Sequence, residues 1–249
     1  MKKTISLVLL ALLPGLLFAE DAKKTSGPEK GTLSNYRVWA KDGHQDALKS
    51  ALAAHAAKFH TGAWKWRVYE VLTGPDGGAY MITEGPNSWT ELEGRGDLGA
   101  DHMKDYEANV AIHVRKSTSD SYMTYERAGS TVEGGAFSTN KVLLRHMYFK
   151  PGRAAQTMAS LRAWKQIFAK SEVNVAVWRS FFSGEGRFTV ASRLKKGFVD
   201  LDDESINFRK AGDELFGPGG YDALIDQNTA NLDRIMDEMI EFRPELSSK

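Results

Sequence analysis

An internal repeat is the feature that most constrains the fold of this chain. The run Arg37–Lys41, followed by Gly43, matches the run His146–Lys150, followed by Gly152. We call the separation along the chain from Gly43 to Gly152 the repeat offset. The same offset recurs in two further aromatic pairs, Phe59 with Phe168 and Trp89 with Phe198. A duplicated plan of this kind predicts two copies of one supersecondary unit that pack against each other.

Periodicity assigns the elements of each copy. Leu48, Leu52 and Phe59 share one face at helical spacing, which predicts a helix over 44–60. Aromatic and β-branched residues on both sides of the turn Gly74–Gly78 predict a β-hairpin. Applied throughout, these patterns predict strands at 36–41, 64–73, 79–84 and 122–127 with helices at 44–60 and 101–116, then strands at 141–149, 173–182, 187–194 and 239–243 with helices at 153–170, 203–216 and 221–236.

The resulting order, βαββαβ twice, is that of the ferredoxin-like unit. Over about residues 34–246 the chain resembles the dimeric α/β-barrel superfamily, with the two halves of one chain in the place of two subunits. The resemblance implies an α+β fold in which two tandem ferredoxin-like units pack their antiparallel sheets as a pseudo-dimeric α/β barrel. It also implies an interior cavity, and either a monomer complete through its internal pseudo-dimer or a homo-oligomer.

The N-terminus predicts export. Lys2 and Lys3 precede an apolar run that ends at Ala19, which is typical of a secretory signal peptide and too short for a membrane span. Cleavage after Ala19 would leave a periplasmic or secreted protein with no stable membrane span, whereas an uncleaved segment would act as an anchor. The predicted organisation is signal peptide 1–19, flexible leader 20–33, repeat 34–127, linker 128–136 and repeat 137–246.

Composition excludes several functions. Lys and Arg number 33 against 32 Asp and Glu, so no charge excess favours nucleic acid. The 249 residues include no cysteine, which rules out thiolate chemistry and disulfides. Phosphate-loop, nucleophile-elbow, His-Glu-x-x-His and dinucleotide-binding motifs are missing as well. No metal site is predicted.

One helical stripe carries the candidate catalytic residues. His102, Tyr106, Asn109 and His113 follow one another at spacings of four, three and four. His102 could act as a general base or haem ligand, Tyr106 as a hydrogen-bond donor and His113 as a second ligand or a proton carrier. The alternative is structural: Tyr106 lies in a buried stripe with Met103, and the two histidines border it half in solvent. About 16 Å of helix separates the histidines, so they cannot share one metal ion.

The duplication supplies the candidate ligand-binding residues. Trp66-Arg67 and Trp178-Arg179 are matched with a three-residue shift, so the two arginines could grip an anionic ligand from related positions. Alternatively each arginine protects a strand edge, or pairs with Glu70 or Glu84. Trp66 and Trp178 are candidates for ligand stacking or for the core. His146, the counterpart of Arg37, could line the barrel, while the pattern predicts a core role for His55.

These observations give two functional hypotheses. The first is an exported protein that binds a small apolar or aromatic molecule in the barrel cavity without chemistry. The second is a cofactor-free monooxygenase-like or haem-handling enzyme that uses histidine, tyrosine and arginine side chains of that cavity. Members of the resembled superfamily include both kinds, so the fold alone does not choose between them.

Overall fold

The computed structural model describes residues 31–132, 140–182, 184–203 and 205–249. The predicted signal peptide 1–19 lies outside these residues, as do most of the predicted leader and part of the predicted linker 128–136. The predicted leader reaches residue 33, but the first strand already begins at Thr32. Thr32 pairs with Asn87 on one side and Thr124 on the other, so these contacts order the end of the predicted leader.

The first half of the chain contributes short helices to one side of its strands. In the described residues the strands are β1 (Thr32–Ala40), β2 (Trp66–Val71), β3 (Tyr80–Asn87), β4 (Val114–Ser117) and β5 (Ser121–Tyr125), and the α-helices are α1 (Gln45–Phe59), α2 (Trp89–Glu93) and α3 (His102–Asp105). A π-helical turn at Tyr106–Val110 and a 3₁₀ turn at Ala111–His113 extend α3. Ser88 and Glu91 form a capping box that starts α2.

The second half repeats this order with longer helices. Its described elements are β6 (Lys141–Phe149), α4 (Ala154–Lys170), β7 (Val175–Phe181), β8 (Arg187–Leu194), α5 (Phe208–Phe216), α6 (Gly220–Asn231) and β9 (Leu232–Phe242). Among the described helices, none is both long and apolar enough to cross a membrane.

The strands form one closed antiparallel barrel. Eight strands follow one another in the order β3-β2-β9-β6-β8-β7-β5-β1, and β1 pairs with β3 to close the circle. β4 adds to the barrel edge by pairing with the end of β1, while β5 pairs with its beginning. With β4 left aside, the two halves show the same order of neighbouring strands: β5-β1-β3-β2 in the first half and β9-β6-β8-β7 in the second. In each half this is the fourth strand, then the first, the third and the second. The halves join where β2 meets β9 and where β5 meets β7.

Alternating side chains build an inner and an outer core. Inward residues of both halves, among them Tyr69, Met81, Leu144 and Trp178, form one cluster inside the barrel. Outward residues of the first half pack beneath α1, where Leu48 and Leu52 are fully buried. A corresponding outer cluster lies beneath α4. The helices thus cover the outer face of the sheet. On the inner face, the apolar side chains of each half are buried against those of the other half.

Two predicted helices extend too far along the sequence. The helix over 101–116 gives way to β4 at Val114, and the helix over 221–236 ends at Asn231. β9 begins at Leu232, opposite Phe149 of β6, and the two strands pair along nearly their whole length. Long-range strand pairing therefore overrides a local pattern that is also compatible with a helix.

The predicted match between Trp66 and Trp178 is wrong. Trp66 lies in the outer core beneath α1, whereas Trp178 lies inside the barrel. The repeat offset, kept without any shift, instead makes Tyr69 the counterpart of Trp178, and Tyr69 is also inside the barrel. Because neighbouring side chains of a strand point to opposite faces, an error of an odd number of residues in register exchanges the two faces. The constant repeat offset is therefore the correct guide, and the three-residue shift is not.

Candidate functional site

The barrel encloses a cavity of about 270 Å³. Strands of both halves of the chain contribute to its wall, so the cavity needs both halves. Its apolar wall includes Tyr69, Met81, Leu144, Trp178 and Ile240, and its polar wall includes Arg37, Arg67, Asp76, His146, Arg187 and Thr189.

A buried ion pair crosses the inside of the barrel. Arg37 of β1 donates to both carboxylate oxygens of Glu238 of β9, and the distance from Nη1 to Oε2 is 2.8 Å. The same Nη1 donates to Asp76 Oδ2 at 2.7 Å. Asp76 belongs to the β2–β3 turn, and Gly74 lets this turn pack closely against Glu238 of β9. The φ of Gly74 is +88°, and an added Cβ would lie 3.1 Å from the Cβ of Glu238.

His146 completes a hydrogen-bonded chain that begins at this ion pair. His146 Nε2 lies 2.8 Å from Glu238 Oε1, and Nδ1 lies 3.0 Å from the Thr189 hydroxyl. Burial raises the pKa of Glu238, but hydrogen bonds from His146 and Arg37 outweigh that effect and hold it at about 2. The carboxylate is therefore ionised and can only accept, so Nε2 carries a hydrogen. In the neutral ring, Nδ1 then accepts the hydrogen bond from Thr189.

Two buried donors in the cavity wall have no partner among the described residues. They are Nε1 of Trp178, a residue that is 2% exposed, and Nε of Arg187. Trp178 and Thr189 are direct cross-strand neighbours, and Arg187 lies two residues before Thr189 on the same face of β8. A buried donor without a partner costs free energy, so it is a common mark of a place where a ligand binds.

The two matched arginines do not face a common ligand. Arg67 lines the cavity and donates from Nη1 to the Gly85 carbonyl at 2.5 Å. Arg179 follows the inward-facing Trp178 and lies outside the barrel, 5.9 Å from the ring of Phe188. The predicted joint grip is therefore wrong, for the same reason of register that separates Trp66 from Trp178. The alternative pairing of Arg67 with Glu84 is wrong too, because Glu84 pairs with Arg95 and His60.

The histidines of the predicted stripe also separate. The structural alternative is confirmed for Tyr106, which packs against the outer core, and for His113, which is half-buried. It is wrong for the other two residues, because His102 is buried in a cluster with His55 and His60 while Met103 is exposed. His113 lies apart from this cluster, with its Nδ1 2.9 Å from Nδ1 of His44. The π-helical turn after α3 accounts for the change, since it breaks the α-helical spacing on which the stripe depends. Asn109 is exposed and donates to Asp105.

A second cavity, of about 310 Å³, lies outside the barrel beside the buried histidines. Its wall includes Tyr36, His60, Trp66, Glu84, Arg95, His102 and Tyr106. Burial lowers the pKa of His55, His60 and His102, which favours neutral imidazoles. Burial raises the pKa of Glu84, but hydrogen bonds from His60 and Arg95 reverse that effect and keep the carboxylate ionised. Burial also raises the pKa of Tyr106.

Haem is one ligand that the sequence suggests, but neither His102 nor His146 fits it as an axial ligand. Haem iron needs an axial ligand atom that faces a flat slot. Both nitrogens of His146 are engaged, by Glu238 and Thr189. The His102 ring is enclosed by His55, His60 and Phe59, with ring centroids 5.0–5.3 Å away. His146 therefore has no free nitrogen for the iron, and the rings packed around His102 leave no flat slot for a macrocycle beside it.

Comparison with solved structures identifies the fold. An anthrone oxidase-like protein matches with a TM-score of 0.52 and 11% identity, over 86% of this chain and 92% of that one. A "putative monooxygenase" from Fusobacterium nucleatum matches with a TM-score of 0.54 and 13% identity, over 85% and 91%. Chlorite dismutase from Candidatus Nitrospira defluvii in complex with imidazole matches with a TM-score of 0.52 and 8% identity, over 88% and 94%.

These likenesses place the chain in the dimeric α+β barrel fold, as the resemblance in the sequence implied. At such low identity they show the fold alone. The sequence matches no protein-family model and no curated protein. The function therefore has to be argued from the site itself.

Proposed function

We propose that this chain binds a small, largely apolar or aromatic molecule inside the barrel, and that an acidic hydroxyl or carbonyl oxygen orients the molecule there. One observation carries this proposal: the unpartnered buried donors of Trp178 and Arg187 belong to residues of a cavity wall that also presents a set of apolar and aromatic side chains, among them Tyr69, Met81 and Leu144. Apolar walls with a few convergent polar groups are typical of small-molecule sites. A ligand oxygen between the indole N–H and the guanidinium would satisfy both donors.

Charge supports an oxygen with anionic character. Arg67 and Arg187 form no ion pair with any carboxylate in the described parts of the chain, whereas Arg37 is neutralised by Glu238. The wall also contains Asp76, which pairs with Arg37, and Asp120, whose pKa is raised by burial, which favours its neutral form. Two cationic side chains without a carboxylate partner favour a phenolate or enolate over the neutral form of a nearby ligand. Anthrone is a suitable probe, because it is a tricyclic ketone that loses a proton to give a delocalised anion.

The test is anthrone binding, measured under nitrogen by quenching of tryptophan fluorescence. Trp178→Phe keeps an aromatic ring but removes the N–H, so we expect the Kd to rise about 5- to 30-fold, the equivalent of one buried hydrogen bond of about 1–2 kcal/mol. Trp164→Phe is the matched control, since Trp164 also has a buried unpartnered Nε1 but lies on α4, among the helices outside the barrel. Equal effects of the two substitutions would contradict binding in the barrel.

A second candidate is cofactor-free oxygenation of that ligand, favoured by the chain Thr189–His146–Glu238. Thr189 could take a proton from the ligand while passing its own to His146 Nδ1, and the adjacent carboxylate would stabilise the imidazolium. The resulting carbanion would react with dioxygen; for anthrone, one oxygen atom enters anthraquinone and the other leaves as water with two hydrogens. An anthrone oxidase-like protein and a monooxygenase-named protein share the fold.

Oxygen uptake tests this second candidate. Thr189→Val removes the hydroxyl while keeping the shape, so we expect anthrone-dependent oxygen consumption above the uncatalysed rate to fall at least about 100-fold, as for loss of a general base. The Kd for anthrone should change less than about threefold, because the donors of Trp178 and Arg187 remain. An unchanged rate in Thr189→Val would exclude this relay.

We further propose that the two halves are tandem ferredoxin-like repeats, and that a cleaved signal peptide over residues 1–19 exports the chain to the periplasm or beyond. The repeat proposal is supported by the constant repeat offset and by the shared strand order. The export proposal is supported by Lys2, Lys3 and the apolar run before Ala19.

A further inference from the structure

Three histidines from separate parts of the first half meet outside the barrel. His55 lies on α1, His60 follows the end of that helix, and His102 begins α3. They are 1%, 0% and 6% exposed. One ring nitrogen of each lies within 4.8 Å of the others, and the distance from His60 Nε2 to His102 Nε2 is 3.2 Å. This cluster takes no part in the barrel cavity.

Two carboxylates fix which nitrogens face the centre of the cluster. His55 Nδ1 lies 2.9 Å from Asp105 Oδ2, and His60 Nδ1 lies 3.0 Å from Glu84 Oε2. A carboxylate accepts hydrogen bonds, so in neutral rings both Nδ1 atoms carry the hydrogen and both Nε2 atoms carry the lone pair. Metal-bound histidines show this arrangement, in which a carboxylate orients the ring through its other nitrogen.

One nitrogen that faces the centre of the cluster lacks the partner that a purely structural cluster would need. His55 Nε2 is buried with no hydrogen-bond partner among the described residues. Because His60 Nε2 carries a lone pair, its contact with His102 needs the hydrogen on Nε2 of His102, and that hydrogen bond still leaves His55 Nε2 unsatisfied. A buried lone pair without a partner is costly, and an ion bound by one nitrogen of each ring would remove that cost; the hydrogen of His102 would then lie on Nδ1, and His102 already has a hydrogen bond to the backbone of Asp97.

The spacing agrees with a tetrahedral ion. Zinc–nitrogen bonds of about 2.0–2.1 Å place two ligand nitrogens about 3.3–3.4 Å apart, close to the 3.2 Å between His60 and His102. No separation among the three nitrogens exceeds 4.8 Å, so the widest would have to close by at most about 1.5 Å, which a rotation of one ring supplies. His60 and His102 also line the outer cavity, so a fourth position would open toward Tyr36 and Tyr106.

From this geometry we infer that His55, His60 and His102 bind a divalent transition-metal ion of the zinc class, with one position open to the outer cavity. Three neutral imidazoles without thiolate suit Zn²⁺, Co²⁺, Ni²⁺ or Cu²⁺ and disfavour Mg²⁺ or Ca²⁺, which prefer oxygen ligands. Three protein ligands plus an open position is the arrangement of catalytic zinc rather than structural zinc. The inference is independent of ligand binding in the barrel.

The test is metal binding by the untagged full chain, stripped with a chelator and dialysed before titration with Zn²⁺ or Co²⁺. We expect one Zn²⁺ per chain by calorimetry and elemental analysis, and visible absorption typical of tetrahedral cobalt for Co²⁺. His60→Ala should raise the Kd at least about 100-fold. Asp105→Asn keeps all three ligands but weakens the hold on His55, so it should raise the Kd about 10- to 100-fold.

His113→Ala is the matched control, because it removes a histidine from the neighbouring His44–His113 pair and leaves the cluster intact. It should keep the wild-type Kd, and thermal unfolding confirms that each variant is folded. If His60→Ala fails to fold, His102→Gln and Asp105→Asn carry the test. Substoichiometric binding by the wild type, or equal losses in His113→Ala and a cluster variant, would overturn the inference.

Discussion

Glu238→Ala should lower the free energy of unfolding by about 3–5 kcal/mol, the cost of removing one partner from a buried ion pair. Glu238 is 1% exposed and accepts hydrogen bonds from both Arg37 and His146. Its loss leaves the Arg37 guanidinium in the barrel with only Asp76 as a counter-charge. It also opens a small void between the two halves, which adds to the cost.

Urea unfolding followed by circular dichroism measures this effect, and the preceding residue of the strand provides the control. Asp237 faces outward and pairs with Arg145 on the surface. Asp237→Ala should therefore cost less than about 1 kcal/mol. Replacing both buried partners, as Arg37→Met with Glu238→Leu, should recover part of the stability, because neither charge of the buried pair remains and Asp76, which loses Arg37, is partly exposed to solvent. A loss below about 1 kcal/mol in Glu238→Ala would mean that water enters the barrel and solvates the pair.

The sequence predicts the outer two residues of the hydrogen-bonded group Arg37–Glu238–His146 but not the central one. The repeat offset pairs Arg37 with His146, and both side chains meet inside the barrel. Glu238 escapes the prediction because it falls between the helix predicted over 221–236 and the strand predicted over 239–243. The Glu238 side chain points into the barrel because β9 pairs with β6. That pairing joins strands far apart in the sequence, so a local pattern does not predict it.

The histidine cluster escapes sequence-based prediction for a related reason. The local pattern predicts His55 as a core residue of its helix and His60 as the residue that ends it, so neither spacing suggests a ligand set. His102 lies 42 residues after His60, and only the packing of α3 on α1 brings them together. Local periodicity predicts which face of an element is buried, but it does not predict which buried polar groups will meet.

The stability of the chain should also depend on Glu238 under acid conditions. The pKa of its carboxyl is held at about 2 in the folded chain, against 4.5 for an unperturbed group. A lowered folded-state pKa stabilises the fold above the unfolded-state value and loses that contribution as the pH falls through the folded-state value. The difference corresponds to about 3 kcal/mol, lost progressively between about pH 4.5 and pH 2.

Other carboxylates titrate in the same range, so the informative quantity is the difference in unfolding free energy between wild type and Glu238→Gln. Glutamine keeps the shape but cannot ionise, and Arg37, His146 and Asp76 are the charged or titratable groups that face it. We expect the wild type to be more stable at pH 6, with the difference shrinking by about 3 kcal/mol by pH 2. Asp237→Asn should show a difference that changes by less than about 1 kcal/mol, because its ion pair is exposed. A difference between wild type and Glu238→Gln that stays constant with pH would show that the pKa of this carboxyl is the same in the folded and unfolded chains, which contradicts a lowered folded-state pKa. A wild type that gains stability relative to Glu238→Gln as the pH falls would show a carboxyl that is protonated in the folded barrel, and the proton relay through His146 would then lose its anionic end.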